Sequence, residues 1–193
     1  MPQISDHTFK REIINILSRA FDDNLSVNYV IKQGAGRKRR IKELIEYSYQ
    51  ICKKYGVVYI NGNTTAVALI LRSDRKRFTP FLDLRLAISS ITFPRLLKIF
   101  DRETKLKKRR VKEPHLYLWF IGVDPIYQNT GLGSELLTEV LKYADDQGLP
   151  ICLETSKLSN VPWYKRNEFE VYDSIDDFGF DVVMMRRTKS KKL

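Results

Sequence analysis

The sequence predicts an α/β (α+β) fold in which a mixed central sheet is flanked by helices. Three observations carry that expectation. Apolar segments of helical period alternate with short β-branched runs, turn residues punctuate them throughout, and no segment repeats. No linker divides the 193 residues, so 1–188 reads as one domain and the basic residues 189–193 as a disordered tail.

The elements follow in order. Phe9, Ile13, Ile16, Leu17, Ala20 and Phe21 recur at helical spacing, with Asp6 or Thr8 as the expected N-cap. Ile41, Leu44, Ile45, Ser48, Ile51, Cys52 and Tyr55 mark a second helix, which Gly56 is placed to end. Val57 to Ile60 and Ala66 to Leu71 read as strands. The intervening Asn61-Gly62-Asn63 signals a hairpin, because both Asn and Gly tolerate positive φ. Residues 79 to 111 read as helical on Leu82, Leu86, Ile91, Leu96, Leu97 and Phe100, with Pro94 breaking or kinking the segment. A strand from Leu116 to Val123 leads into the turn Asp124-Pro125. The next helix runs from Gly131 to Gln147 and ends at Gly148, with Pro150 beyond. Ile151 to Thr155 reads as a buried strand and Val161 to Asn167 as a short helix. Strands around Phe169 to Tyr172 and Phe180 to Arg186 close the chain.

Composition narrows the function classes. With 43% hydrophobic and 30% charged residues, the chain reads as a soluble globular protein. No apolar run approaches the roughly 20 residues that cross a bilayer, and the start Met1-Pro2-Gln3-Ile4 lacks the form of a signal peptide. A cytoplasmic location is therefore expected. Cys52 and Cys152 read as buried, reduced residues. His7 and His115 have no ligand-spaced companions, so no metal site is expected. The net charge of +11 favours acidic partners. Its excess lies in Lys98 to Lys112, in Arg37 to Arg40 and in Lys189 to Lys192. Each run reads as a solvated face or a loose tail, and charge alone selects no partner.

The informative stretch is Gln128-Asn129-Thr130-Gly131-Leu132-Gly133-Ser134, between a strand and a helix. Glycines there let a backbone approach a ligand, and the helix N-terminus offers free N–H groups suited to a pyrophosphate. The Lys-Ser/Thr ending of a P-loop is missing, and so is the third glycine of a dinucleotide fingerprint.

Together with Lys112-Glu113-Pro114, Ile121-Gly122-Val123-Asp124-Pro125, Leu153-Glu154-Thr155-Ser156, Asn160, Pro162 and Tyr164, this stretch resembles the GNAT superfamily. The likeness is to its puromycin N-acetyltransferase group, close from Lys112 to Arg187 and fainter from Ala20 to Arg72. Asn167-Glu168 stands where relatives place a glycine before the phenylalanine, leaving Asn167 to take the left-handed turn. The family's first strand is short or missing, and the acceptor side, from 73 to 111, diverges.

The resemblance implies the GNAT acyl-CoA N-acyltransferase fold, with acetyl-CoA as co-substrate and no metal. Ile121, Gly122 and Val123 would offer backbone groups to the pantetheine arm. Gln128, Asn129, Thr130, Gly131, Leu132, Gly133 and Ser134 would wrap the pyrophosphate, and Asn160 would touch the cofactor. Tyr164 would protonate the departing thiolate. A phenol of pKa about 10 is chemically suited to that task. Glu154 is the candidate general base. The expected activity is N-acetylation of an amine on a small molecule. Acetylation of a protein amine is the alternative within the class, and a non-catalytic basic nucleic-acid-binding module is the rival outside it. No membrane or sequence-specific nucleic-acid partner is expected, and a monomer or homodimer is.

Overall fold

The computed structural model describes residues 3–4, 9–75 and 93–188. Among these, seven strands form one sheet: β1 (Gln3–Ile4), β2 (Gly56–Ile60), β3 (Ala66–Arg72), β4 (Leu116–Val123), β5 (Ile151–Thr155), β6 (Glu170–Ile175) and β7 (Val182–Arg187). Their order is β1-β2-β3-β4-β5-β7-β6. All neighbours are antiparallel except β4 and β5. The first strand is only two residues long. Helices α1 (Lys10–Ala20), α2 (Leu25–Val30) and α3 (Arg37–Tyr55) cover one face. Helices α5 (Leu132–Gln147) and α6 (Val161–Arg166) cover the other, and α4 (Phe93–Arg109) lies against the β6–β7 end.

The periodicities that predicted the helices bury as expected. Ile13 and Leu17 of α1 are fully buried against Ile41 and Ile45 of α3 and against Val67 and Leu69 of the sheet. Each such side chain contributes about 1.5–3 kcal/mol of burial. On the opposite face Leu136, Leu137, Val140 and Ala144 of α5 close over Leu116, Leu118 and Leu153.

Local chemistry differs from expectation at several points. Helix α1 starts with Phe9 at its N-cap and no capping side chain; Asp6, Thr8 and His7 lie outside the described residues. The hairpin forms, but its turn spans five residues and its positive φ, 54°, falls on Thr64. Asn61 organises the loop, its Oδ1 accepting from the N–H groups of Thr65 and Ala66 at 2.8 and 2.9 Å. Gly56 is needed for room, not for a left-handed cap: a β-carbon there would lie 1.9 Å from the Ile70 carbonyl oxygen. Pro94 is the second residue of α4, where its missing N–H costs little; residues 76–92, including Phe78 and Phe81, lie outside the described residues. Leu97 and Phe100, apolar positions of the segment read as helical, are exposed, and the buried face of α4 carries Arg102 and Leu106. The left-handed residue after α6 is Glu168, φ 64°, and not Asn167. Arg187 holds Glu168 in place through a 2.9 Å ion pair and also grips Asp145 of α5.

The basic runs are exposed in part, at Lys38, Arg39, Lys98, Lys107, Lys108 and Lys112, and engaged in ion pairs or hydrogen bonds in part. Arg37 pairs with Asp22, Arg39 with Glu43, and Arg40 donates to the carbonyls of Lys32 and Ala35. In α4 and beyond, Arg102 pairs with Glu103, Lys105 with Asp101 and Asp177, Arg109 with Asp173, and Arg110 with Glu103 and Glu154. The tail at 189–193 lies outside the described residues. Cys52 and Cys152 are buried thiols outside any disulfide, and burial pushes the Cys152 thiol up to about 12.

Candidate functional site

The site begins where two parallel strands part. β4 and β5 pair only at Leu116–Leu118 with Ile151–Leu153. Beyond these, β4 continues to Val123, held on its other edge by β3 through Ala66. Its backbone groups facing β5 from Trp119 onward thus meet no strand. A cleft of about 1570 Å³ runs through this splay and is lined by residues from both faces of the sheet. Such a gap invites an extended ligand that can pair with the open strand edge.

The segment after β4 turns sharply at one end of the cleft. Asp124 is buried, accepts an ion pair from Arg19 of α1, and caps the 3₁₀ turn Pro125–Tyr127. The backbone then takes positive φ at Asn129 (63°) and at Gly131 (90°), the N-cap of α5. The Gly131 carbonyl accepts from Ser134 and Glu135 at 2.9 and 3.1 Å. Among the described residues, the N–H groups of Asn129 through Gly133 find no acceptor. Alternating left- and right-handed residues that leave several N–H groups free form an anion-binding concavity, and the dipole of α5 adds to it.

The two glycines serve different ends. At Gly131 a β-carbon would meet nothing within 4 Å, so its requirement is conformational. At Gly133 it would lie 3.5 Å from Val123 and 3.9 Å from Trp163, ordinary contact on the cleft side. Gly122 has a third reason, since a β-carbon there would press on Ala20 at 3.0 Å and Leu17 at 3.1 Å in α1.

Of the residues expected to hold a cofactor, Ile121, Gly122, Val123, Gln128, Asn129, Gly131, Gly133, Ser134 and Asn160 line the cleft together. Thr130 and Leu132 do not: the Thr130 hydroxyl donates to the Tyr127 carbonyl at 2.7 Å, and Leu132 packs against the α5-side core. The Gln128 side chain donates to the Val123 carbonyl at 3.2 Å, bracing the turn.

Tyr164 enters from α6, on the α5 face, and is 5% exposed. Its ring packs on Trp163 at 4.7 Å and Phe169 at 5.5 Å. Burial raises its pKa well above the ordinary phenol value, so the hydroxyl keeps its proton at neutral pH. Trp163 ties this helix to the glycine loop, its Nε1 donating to Ser134 Oγ at 3.0 Å.

Glu154 sits on the other face of the sheet, since Leu153 before it packs against α5. Its two oxygens meet Arg110 Nε at 2.5 Å and Nη2 at 3.1 Å, and the guanidinium lies over the Tyr117 ring at 5.3 Å. Burial works against the Arg110 charge, but Tyr117, Glu154 and Glu103 more than offset it and its pKa is raised. A carboxylate gripped this way has to take an amine proton on its remaining lone pairs, directly or through water. Arg102 and Arg110 were missed as parts of the site, because a run of charges carries no periodic signal saying which members turn inward.

Residues 96–169 match the profile of the Acetyltransferase (GNAT) family. An uncharacterized N-acetyltransferase of Schizosaccharomyces pombe is 34% identical over 74 residues, 38% of this chain and 30% of that relative. The match thus spans less than a third of the relative's length. A histone acetyltransferase HPA2-related protein of Corynebacterium glutamicum superposes with a TM-score of 0.72 at 20% identity, covering 100% of this chain and 98% of its own. The fold is that of the GNAT acetyltransferases. Arylalkylamine N-acetyltransferase 2 of Aedes aegypti shares it, with a TM-score of 0.68 at 14% identity over 97% of this chain and 98% of its own. At such identities the likeness concerns the GNAT fold alone. Among the described residues no helix is long and apolar enough to cross a membrane, and no group of three or more His, Cys, Asp or Glu residues stands together as a metal site.

Proposed function

We propose that the chain is an N-acetyltransferase of the GNAT superfamily that transfers an acetyl group from acetyl-CoA to an amine on a small molecule. The observation that carries this reading is the splay of β4 from β5 beside a loop of unpartnered N–H groups at Asn129 to Gly133. The splay fits a pantetheine arm and the loop a pyrophosphate, and the arrangement asks nothing else of that backbone. The finer likeness to puromycin N-acetyltransferases rests on the motif residues.

In this reading the amine nitrogen attacks the thioester carbon from the Glu154 side of the sheet. The C–N bond forms, the C–S bond breaks, and the nitrogen gives up its proton to Glu154 or to water held there. The thiolate takes its proton from the Tyr164 hydroxyl on the opposite side. Asn160, at the N-cap of α6, lines the cleft together with Trp163 and Tyr164.

Against the nucleic-acid reading, Arg102, Lys105, Arg109 and Arg110 are taken up in ion pairs, which leaves the exposed Lys98, Lys107, Lys108 and Lys112 to give only non-specific attraction. Thermal denaturation separates the two readings. Coenzyme A at a hundred times its Kd should add about 2.7 kcal/mol of stability by mass action, while duplex DNA at matched salt should add little. Stabilisation by DNA without stabilisation by coenzyme A would reverse the assignment.

A further inference from the structure

The face of the sheet opposite Tyr164 carries an aromatic wall. In the β3–β4 ladder Leu69 pairs with Phe120 and Ile70 with Leu118, so Trp119 is an extra residue, a β-bulge. Strict alternation would send Trp119 and Phe120 to opposite faces. The bulge resets it. Leu116 and Leu118 pack toward α5, then Tyr117, Trp119 and Phe120 all pack toward α1 and α3, and Ile121 returns to the α5 side. Two consecutive rings are thereby set on one wall. Tyr47 of α3 meets Trp119 edge-on at 6.1 Å, Trp119 lies 6.0 Å from Phe120, and Phe21 stands edge-on to Phe120 at 4.9 Å. All four line the cleft, and Phe21, Tyr47 and Trp119 are only partly buried.

We propose that this wall binds the acceptor and that the acceptor is a primary amine carrying an aromatic ring. The inference rests on the acetyltransferase reading, with the donor in the splay. An aromatic wall suits a flat apolar group, which gains edge-to-face contacts beyond its burial. It also suits an amine that must lose its charge before attack, because an apolar surrounding favours the neutral form. A polyamine or a basic peptide fits poorly. Its extra ammonium groups must shed strongly held water that cation–π contacts replace only in part, and the Glu154 and Glu103 carboxylates are already engaged by Arg110, leaving Asp23 at the cleft surface.

The test is acetyl-CoA thiol release by the full chain with 2-phenylethylamine, n-butylamine, spermidine and a lysine peptide. The expected result is a kcat/KM at least tenfold higher for 2-phenylethylamine than for the other three. Trp119→Leu and, as a variant clear of the bulge, Tyr47→Leu should each erase most of that preference through KM. Acetyl-CoA affinity by calorimetry should hold in Tyr47→Leu, which lies on α3 and not on the β4 edge. Equal or better use of butylamine, spermidine or the peptide would overturn the inference, as would variants that leave the ratio unchanged. If acetyl-CoA binds and no aromatic amine is acetylated, the acceptor inference fails and the donor reading stands. If acetyl-CoA does not bind, both fall.

Discussion

Replacing Tyr164 with phenylalanine removes one oxygen from a side chain that is 5% exposed. The ring contacts with Trp163 at 4.7 Å and Phe169 at 5.5 Å stay in place. Among the described residues the hydroxyl has no hydrogen-bond partner to lose, so folding stability should barely move. General acid catalysis contributes about 10²–10⁴-fold, which corresponds to about 2.7–5.4 kcal/mol of barrier at 1.36 kcal/mol per decade. Turnover of Tyr164→Phe should fall by that factor, while acetyl-CoA affinity holds, because the proton matters when charge develops on sulfur. Single-turnover thiol release reports the first quantity and calorimetry the second. Burial raises the pKa of this phenol, so the wild-type rate should show no alkaline fall from Tyr164 near the usual phenol value. A variant with nearly full single-turnover rate would refute the assignment and leave Tyr164 as packing.

Other outcomes follow from the same geometry. Gly131→Ala should destabilise the fold by about 1–2 kcal/mol, the cost of a left-handed L-residue, read as a shift in urea midpoint; an unchanged midpoint would show that φ there relaxes freely. Gly133→Val should leave the fold intact and weaken acetyl-CoA at least tenfold, about 1.4 kcal/mol, because its methyl groups would crowd Val123 and Trp163 beside the free amides; calorimetry on the folded variant decides it. The Cys152 thiol, raised from 9.0 to about 12 by burial, binds its proton more tightly in the folded state. Its contribution to stability is therefore full below about pH 9 and lost as pH rises toward about 12, and Cys152→Ala should flatten that part of the stability profile. Duplex DNA should bind only weakly and with steep salt dependence; sequence-selective competition at physiological salt would contradict the ion-pair account of α4.

Long apolar periods were legible from sequence because burial on one face leaves a pattern every turn. The glycine loop was legible because positive φ and a helix start both favour glycine, as Gly131 confirms at φ 90°. What escaped depends on partners remote in sequence. Arg110 and Glu154 are 44 residues apart, and nothing local says that they meet. The hairpin was recognised, yet the Asn61 side chain sets its turn, where the sequence suggested a tight Asn-Gly turn. Glu168 takes the left-handed position where the chain folds back so that the Phe169 N–H donates to the Tyr164 carbonyl at 3.1 Å, a closure that overrides the preference for Asn or Gly. Short elements were also lost: the six residues of α2 are too few for a period to show.

The central claim is that acetyl-CoA lies in the splay between β4 and β5, and a crystal structure of the coenzyme A complex tests it most directly. The account expects the pyrophosphate on the N–H groups of Asn129 to Gly133, the pantetheine paired along β4 from Trp119 to Val123, and the sulfur within hydrogen-bonding reach of the Tyr164 hydroxyl. Coenzyme A bound elsewhere, or seated in the splay with its sulfur turned away from Tyr164, would contradict it.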